Sequence, residues 1–496
     1  MFTLSKSDYL LFLKHPAWLW LKKHDKSKLT PVSENLQAVF DAGNDFERYA
    51  EQLFPGGVRI GFDGYDEYLT QPARTKKAID DGATVLFQGR FEHEHITCIC
   101  DVVVITGEHT VDLYEIKSST EAKLIHEHDL AFQMVVLESC GYTVGSIKVL
   151  CVNSEFVRFG DIDPKQLVLT QDITNAVLEK REDTKKHIQK AFRTVESTTL
   201  PDISPSLCGI GSLKEWLEIY RTLTDVPEGS IYDLCRLNAE LISELESQSI
   251  QYIADIPDDI ALKSQQALQV RVSKENRVII NTEEIRNFLS RLVFPLYFLD
   301  YETLSSTVPI FDGTKPYQQV PFQYSLHIFE SPTAELKHVG YLHTERSNPV
   351  QSLTKSLHSA IGTSGTVLVW FEGFEKSRNT EMGELVPEFN EFYEHLNGRV
   401  IDLMTPFSNG WYAHKEFLGS ASIKKVLPVL NPELSYSGLD VHEGATAQRL
   451  WMETILDGKN KEDREKILKD LDAYCTLDTM AMVKIYQKLT NVVALT

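Results

Sequence analysis

The run Val293–Leu299 is apolar and leads directly into Asp300-Tyr301-Glu302. On a strand, residues two apart share a face. Asp300 and Glu302 therefore project together at the edge of whatever core the run builds. Two like charges in such a place are costly unless a cation compensates them. The natural cation is a pair of divalent metal ions about 3.5–4 Å apart, clamping the attacking and leaving oxygens of a phosphoryl group. A capped strand end is the plainer alternative.

The surrounding pattern predicts one sheet with helices interleaved. Strand-like runs at Phe322–Phe329 and Leu336–Leu342 precede a helix over Val350–Ile361, a strand over Thr366–Phe371, a helix over Glu375–Leu396 and a strand over Arg399–Leu403. The remainder reads as mostly helical. There, Tyr474-Cys475-Thr476-Leu477-Asp478 sets a phenol and a carboxylate one helical turn apart. A phenol so placed can orient or help activate an attacking water; core packing is the other reading of Tyr474.

Asp-x-Glu on a first strand, with Tyr-x-x-x-Asp on a late helix, resembles the DEDD exonucleases of the RNase H-like superfamily, in their DEDDy variety. The resemblance implies that Asp300, Glu302, Asp478 and one middle carboxylate hold two metal ions. It also implies that Tyr474 orients water and that cutting proceeds from 3′ ends. The family's second motif is an Asp following an Asn. Here Glu375 stands at the Asp position and Phe371 at the Asn position, with Asp402 as the alternative ligand.

The N-terminal part carries a second constellation. A helix is expected from Phe40 to Phe54, with Phe40, Phe46, Tyr49, Ala50 and Leu53 at helical spacing, stopped by Pro55-Gly56-Gly57. Three β-rich runs follow (Thr84–Gly89, Ile96–Ile105, Thr110–Lys117), then a helix over Ala122–Cys140 and a strand over Ser146–Val152. That is a mixed α/β core. Glu115 and Lys117 share a strand face, and Asp101 lies in the preceding run. Phosphodiester hydrolysis needs a divalent ion held by oxygen ligands and a positive group near the developing charge. Two carboxylates and a lysine from adjacent strands provide both; a solvated edge face is the alternative.

This pattern resembles the PD-(D/E)XK nuclease superfamily, closest to its RecB-like branch. Glu47, four residues after Gly43, matches the branch's acidic position on an early helix, and Gln133 matches its helical glutamine. The branch's tyrosine falls one turn after that glutamine, where this chain has Leu137; Tyr142 is a loose counterpart. The resemblance implies that Glu47, Asp101 and Glu115 hold Mg²⁺ or Mn²⁺. It implies that Lys117 steers the nucleophile or stabilises charge, and that Gln133 positions water or phosphate. Asp129 and His93, His95, His126 and His128 read as surface polar residues, with a ligand role as the alternative. Some relatives hold an iron–sulfur cluster through four cysteines. This chain has His15 at the first of those positions and only Cys208 within reach of the others, so no cluster is expected. Cys98 and Cys100 read as core packing on one strand face.

Ile173–Val195 is polar and helical, and Pro201, Pro205 and Gly209–Gly211 mark a boundary. The expected organisation is a nuclease domain over 1–205, a helical connector over 206–290 with a small hairpin at Ser243–Pro257, and an exonuclease domain over 291–496. The whole resembles a bacterial family that fuses a RecB-like nuclease to a DEDD-type domain. It implies DNA processing, in repair or in defence against foreign DNA. Two alternatives remain. One is a single-site nuclease whose other half only binds nucleic acid; the other is a non-catalytic scaffold.

Lys and Arg total 50 against 71 Asp and Glu, a net charge of −21. That excludes a simple DNA-coating protein, though an acidic body can carry a local basic groove. Seven cysteines without a C-x-x-C pair give neither a disulfide framework nor a zinc ribbon. The apolar patches Tyr9–Leu13 and Ala17–Leu21 are interrupted by Lys14 and His15, so neither a signal peptide nor a membrane span is read there. A cytoplasmic protein whose partner is nucleic acid, DNA first, is expected, and no protein partner is indicated. Lys424 and Lys425 read as phosphate contacts or as a solvated face. Trp18 and Trp20 read as helix core, with base stacking as the alternative.

Overall fold

The structure, a computed structural model, describes residues 2–29 and 34–495. It is a mixed α/β chain in two compact units. One comprises Met1–Val226, Asn238–Glu244 and Thr307–Pro316; the other comprises Pro227–Leu237, Leu245–Ser306 and Tyr317–Thr496. The stretch expected as a separate connector is thus divided between the two. The boundary expected at residue 291 is also crossed. Arg158 Nη1 donates to the carbonyls of Pro309 (2.9 Å) and Ile310 (2.8 Å), which holds Thr307–Pro316 in the first unit. Among the described residues, no helix is long and apolar enough to cross a membrane.

The first unit is built on a mixed seven-stranded sheet. Val85–His93, Ile96–Ile105 and Thr110–Ile116 form an antiparallel meander. Thr143–Val152 joins Thr110–Ile116 in parallel, which requires a crossover. The helix Leu124–Ser139 provides it. Every residue of that helix from Asp129 to Leu137 is buried, so Asp129 and Gln133 are carried inside with the apolar side chains. The helix expected over Phe40–Phe54 spans Glu34–Glu51, starting earlier and ending sooner, and buries Phe46 and Ala50; the side chain of Phe40 lies outside the described residues.

At the N-terminus a helix over Lys6–Lys14 is followed at once by another over Pro16–His24. Pro16 occupies the first helical position, where its missing N–H is no loss. His15 is fully buried. Its Nδ1 accepts the Ala17 N–H (3.1 Å), its Nε2 lies 3.0 Å from the Ser204 carbonyl, and its ring stacks on Trp216 at 3.8 Å. Trp18 and Trp20 pack in the same cluster, as the core reading expects. Lys6 begins its helix behind a capping box: Ser5 Oγ accepts the Asp8 N–H (3.2 Å) and Asp8 Oδ2 accepts the Ser5 N–H (3.0 Å). Lys22 and Lys23 pair with the same Asp8 at 2.8 and 2.7 Å.

The second unit is built on a five-stranded sheet in the order Lys337–Leu342, Val320–Phe329, Leu296–Leu304, Thr366–Val369, Val400–Asp402. The first three strands are antiparallel, and the last two run parallel to the central one. Leu296–Leu304 is covered on both faces, which accounts for its nearly unbroken apolar sequence. The final helix, Arg464–Ala494, packs against this strand and its antiparallel neighbour. Two expected elements differ. The helix read over Glu375–Leu396 is two, Glu372–Leu385 and Asn390–Asn397. Pro387 separates them, since it has no N–H to continue the ladder. The expected hairpin at Ser243–Pro257 is the end of a helix, Ala239–Ser247, and a single 3-10 turn at Ile253–Asp255.

Asp8→Ala removes one of the two hydrogen bonds of the capping box and the partner of two lysines together. A loss of about 1–2 kcal/mol is expected in the urea unfolding of the N-terminal unit, with Asp8→Asn losing less because it keeps the cap. Equal stability of Asp8→Ala and wild type would refute the anchoring role.

Candidate functional site

In the first unit, Glu115 is fully buried near the end of its strand and three donors converge on it. Lys117 Nζ (2.6 Å) and Lys6 Nζ (2.8 Å) both bind Oε1, while Gln133 Nε2 donates to Oε2 (2.8 Å). Asp129, one turn before Gln133, accepts from the same Nε2 (2.8 Å) and pairs with Lys117 at 3.3 Å. The sequence reading left Asp129 on the surface; the burial of its helix brings it inward. Asp101 Oδ2 accepts the Ile116 N–H at 2.9 Å. Gln88 links the two remaining carboxylates, its Nε2 donating to Glu47 Oε1 (2.8 Å) and Asp101 Oδ1 (3.4 Å).

Lys6 and Gln88 were not anticipated. Lys6 arrives from an element more than a hundred residues away in sequence. Gln88 has φ +56° within a strand, a conformation that only glycine signals from sequence. Its carbonyl is held by Nε2 of the fully buried Gln71 at 2.8 Å. Tyr142, by contrast, packs edge-on against Phe91 in the core.

The charges sort themselves unequally. Burial alone would raise Glu115, but Lys117 and Lys6 overcome it and hold its carboxyl well below the usual range. Burial would likewise lower both ammoniums, and the adjoining carboxylates keep them charged. Asp101, without such a partner, is pushed up to about 7 by burial and by Glu115. Gln133 Oε1 is buried with no hydrogen-bond partner among the described residues.

In the second unit, a cleft of about 220 Å³ is lined by Asp300, Glu302, Glu375 and Asp478, together with Tyr474 and Lys424. The first two come from the central strand, Glu375 from the first turn of Glu372–Leu385, and Tyr474 and Asp478 from one face of the last helix. Ligand atoms of Asp300, Glu302 and Cys475 lie within 4.8 Å of one another. Burial and mutual repulsion push Asp300, Glu302 and Glu375 well above the carboxylate range. Asp478 is pushed up to about 6 by burial, moderated by the hydroxyl of Tyr436, which donates to Oδ1 at 2.5 Å. Lys424 donates to Tyr474 Oη (3.2 Å) and to the His442 carbonyl (2.9 Å). Glu375 Oε2 is buried without a hydrogen-bond partner among the described residues.

The structure separates Glu375 from Asp402. Glu375 lines the cleft. Asp402 Oδ1 accepts the N–H groups of Phe371 (3.1 Å) and Met404 (2.9 Å), and Oδ2 accepts that of Glu372 (3.1 Å). Its carboxylate holds backbone. Tyr436 carried no sequence signal, because no spacing ties it to Asp478.

A profile described as a domain of unknown function (DUF2779) matches residues 297–422. That span holds Asp300, Glu302 and Glu375 and ends before Lys424, Tyr436, Tyr474 and Asp478. The chain is similar to the uncharacterized protein MG366 of Mycoplasma genitalium, 26% identical over 222 residues, covering 41% of this chain and 33% of that protein. It is also similar to the MG366 homolog of Mycoplasma pneumoniae, 26% identical over 205 residues, covering 38% and 31%. The chain spans about a third of the length of these relatives.

Donor sets of this kind fit a hard divalent cation: several carboxylate oxygens, repelling one another, one of them orphaned. A carboxyl raised on folding keeps its proton when the unfolded chain has released it. The stability that Asp101 and Asp478 contribute is therefore complete below about pH 4 and lost as pH rises toward 6–7. Mn²⁺ is expected to raise the melting temperature more at about pH 8 than at about pH 5. Glu375→Gln should reduce that rise and Asp402→Asn should not. Equal Mn²⁺ shifts at both pH values, or a larger effect from Asp402→Asn, would contradict this assignment.

Proposed function

We propose that the chain is a metal-dependent nuclease that hydrolyses DNA phosphodiester bonds at two sites, one in each unit, in DNA repair or defence against foreign DNA. The observation that carries this is the second unit's cleft. Four carboxylates, three buried and Asp300 half-buried, each raised by burial or by the others, face one space beside a phenol and an ammonium. The mixed, helix-flanked sheet beneath them is the kind the RNase H-like resemblance implies. The strand pair carrying Asp101, Glu115 and Lys117 supports the RecB-like resemblance in the same way.

Asp300, Glu302, Glu375 and Asp478 in one unit, and Glu47, Asp101 and Glu115 in the other, would hold Mg²⁺ or Mn²⁺, which would supply Lewis-acid charge. The chain's own groups do the rest. Tyr474, raised by burial and by Asp478, stays a phenol and keeps a proton to share with the attacking water. Lys424, bound to the Tyr474 hydroxyl, fixes that ring and sets positive charge at the mouth where phosphate enters. In the other unit Lys117 is held as an ammonium by Glu115 and Asp129, and it would steer the nucleophile or stabilise developing charge. Gln133, with its Nε2 spent on Glu115 and Asp129, offers Oε1 to orient water. Lys6 adds a second cation beside Lys117.

The test is cleavage of labelled single- and double-stranded DNA, with RNA controls, in Mn²⁺ or Mg²⁺. It compares wild type with Lys117→Ala, Asp300→Ala and the double variant. Each single variant is expected to remove a distinct part of the activity, by about 100-fold or more, comparable to loss of a transition-state charge contact. Loss of all activity in Lys117→Ala alone would make the C-terminal unit a binding module. A wild-type chain that cuts neither DNA nor RNA would overturn the proposal.

A further inference from the structure

Lys6 is delivered to Glu115 by the backbone around it. Leu4–Ser5 adds a short parallel strand to Ile96–Ile105, pairing Leu4 with Ile96 and Ser5 with Thr97. The Leu4 N–H donates to the His95 carbonyl at 2.8 Å. The helix starts at the next residue, so the Lys6 side chain leaves from a point fixed against the strand that carries Asp101. Its Nζ ends 2.8 Å from Glu115 Oε1 and 3.9 Å from Asp129 Oδ1. Glu115 already has a lysine at that oxygen, Lys117 at 2.6 Å. Two ammoniums on one oxygen do more than pair a single carboxylate.

The acceptor positions of Glu115 run out first. An ionised carboxylate offers about four, two on each oxygen. The ammoniums take both positions of Oε1, and Gln133 Nε2 takes one of Oε2. One position is left, enough to ligate a single ion but not to bridge a pair. Charge sets the same limit. Glu47, Asp101, Glu115 and Asp129 meet in this site. Lys6 and Lys117 offset Glu115 and Asp129. Glu47 and Asp101, joined through Gln88, keep two negative charges. Arg59 lies 3.8 Å from Glu47 but is spent on Glu51. One divalent ion closes the balance. A second would leave two positive charges uncompensated in a site largely withdrawn from water.

We infer that Lys6 stands in for a second metal ion: its ammonium is a fixed positive charge of the first unit's site, which takes one divalent ion and not a pair. Where two ions act together, they clamp the attacking and leaving oxygens of a phosphoryl group. Here part of that charge is made with the chain, and it is held in place by a strand pairing and a helix cap rather than by affinity for an ion. This rests on the metal-dependent nuclease reading of the first unit.

The experiment counts Mn²⁺ by equilibrium dialysis and electron paramagnetic resonance. The parent is the full chain carrying Asp300→Ala and Glu302→Ala, which disables the second unit's cleft. Ions lost on adding Asp101→Ala are those of the first unit. The parent is expected to hold one such ion, with the spectrum of an isolated Mn²⁺. Lys6→Ala should hold two, with the broadened spectrum of a coupled pair, and Lys6→Arg, which keeps the charge, should hold one. Lys6→Met keeps the aliphatic stem for packing and should also hold two, so that a gained ion is not the product of a loosened helix. Two ions in the parent, or one ion in both Lys6→Ala and Lys6→Met, would overturn the role of Lys6 and leave the nuclease reading standing. A parent that loses no Mn²⁺ on adding Asp101→Ala would remove the metal-site reading of the first unit and this inference with it.

Discussion

Asp300 and Glu302 stand on the central strand of a five-stranded sheet, one half-buried and the other buried, side by side in the wall of one cleft. Their repulsion organises what surrounds them. Glu375 and Asp478 arrive from two different helices and add to it, while Tyr436 and Tyr474 bring hydroxyls and Lys424 brings the cation. A strand so apolar is needed to hold two charges this far inside, since a looser element would let them escape to solvent. The long final helix must cross the sheet near Asp300, because it delivers both Tyr474 and Asp478 from consecutive turns.

The first unit meets the same problem by other means. Glu115 is more deeply buried than any carboxylate of the second cleft, yet it is held ionised, because two ammoniums share one of its oxygens. The repulsion is passed on to Asp101, which sits opposite without a lysine of its own. Gln88, twisted into a left-handed conformation inside a strand, ties Asp101 to Glu47 and so spans two elements that no backbone hydrogen bond connects there.

Much of this was legible in the sequence where one element carries its own signal. Asp-x-Glu after an apolar run placed Asp300 and Glu302 on one face, and the i, i+4 pair placed Tyr474 with Asp478. The strand-helix-strand order around Glu115 came from periodicity alone. What escaped depends on tertiary packing. Lys6 reaches Glu115 only because its helix is capped by Ser5 and Asp8 and anchored by Lys22 and Lys23. Asp129 looks like a surface residue until the whole helix around it is buried. Glu375 stood ahead of Asp402 by its place in the motif, with Asp402 as the alternative; what separates them in the fold is three backbone N–H groups that claim Asp402. The split of the connector between the two units had no local signature, since helical sequence does not reveal which sheet it will pack on.

The sharing of Glu115 by Lys6 and Lys117 separates the two halves in a further way. In the first unit the counter-ions are part of the polypeptide, made with it and never lost by dilution. In the second, Lys424 and Arg378 face four carboxylates, and the rest of the balance must be drawn from solution. On the proposed reading, the integrity of the second unit follows the concentration of free divalent ion around it, whereas the first is assembled before any ion arrives. A single chain would then hold one half that is always formed and one whose readiness reports the ionic composition of its surroundings.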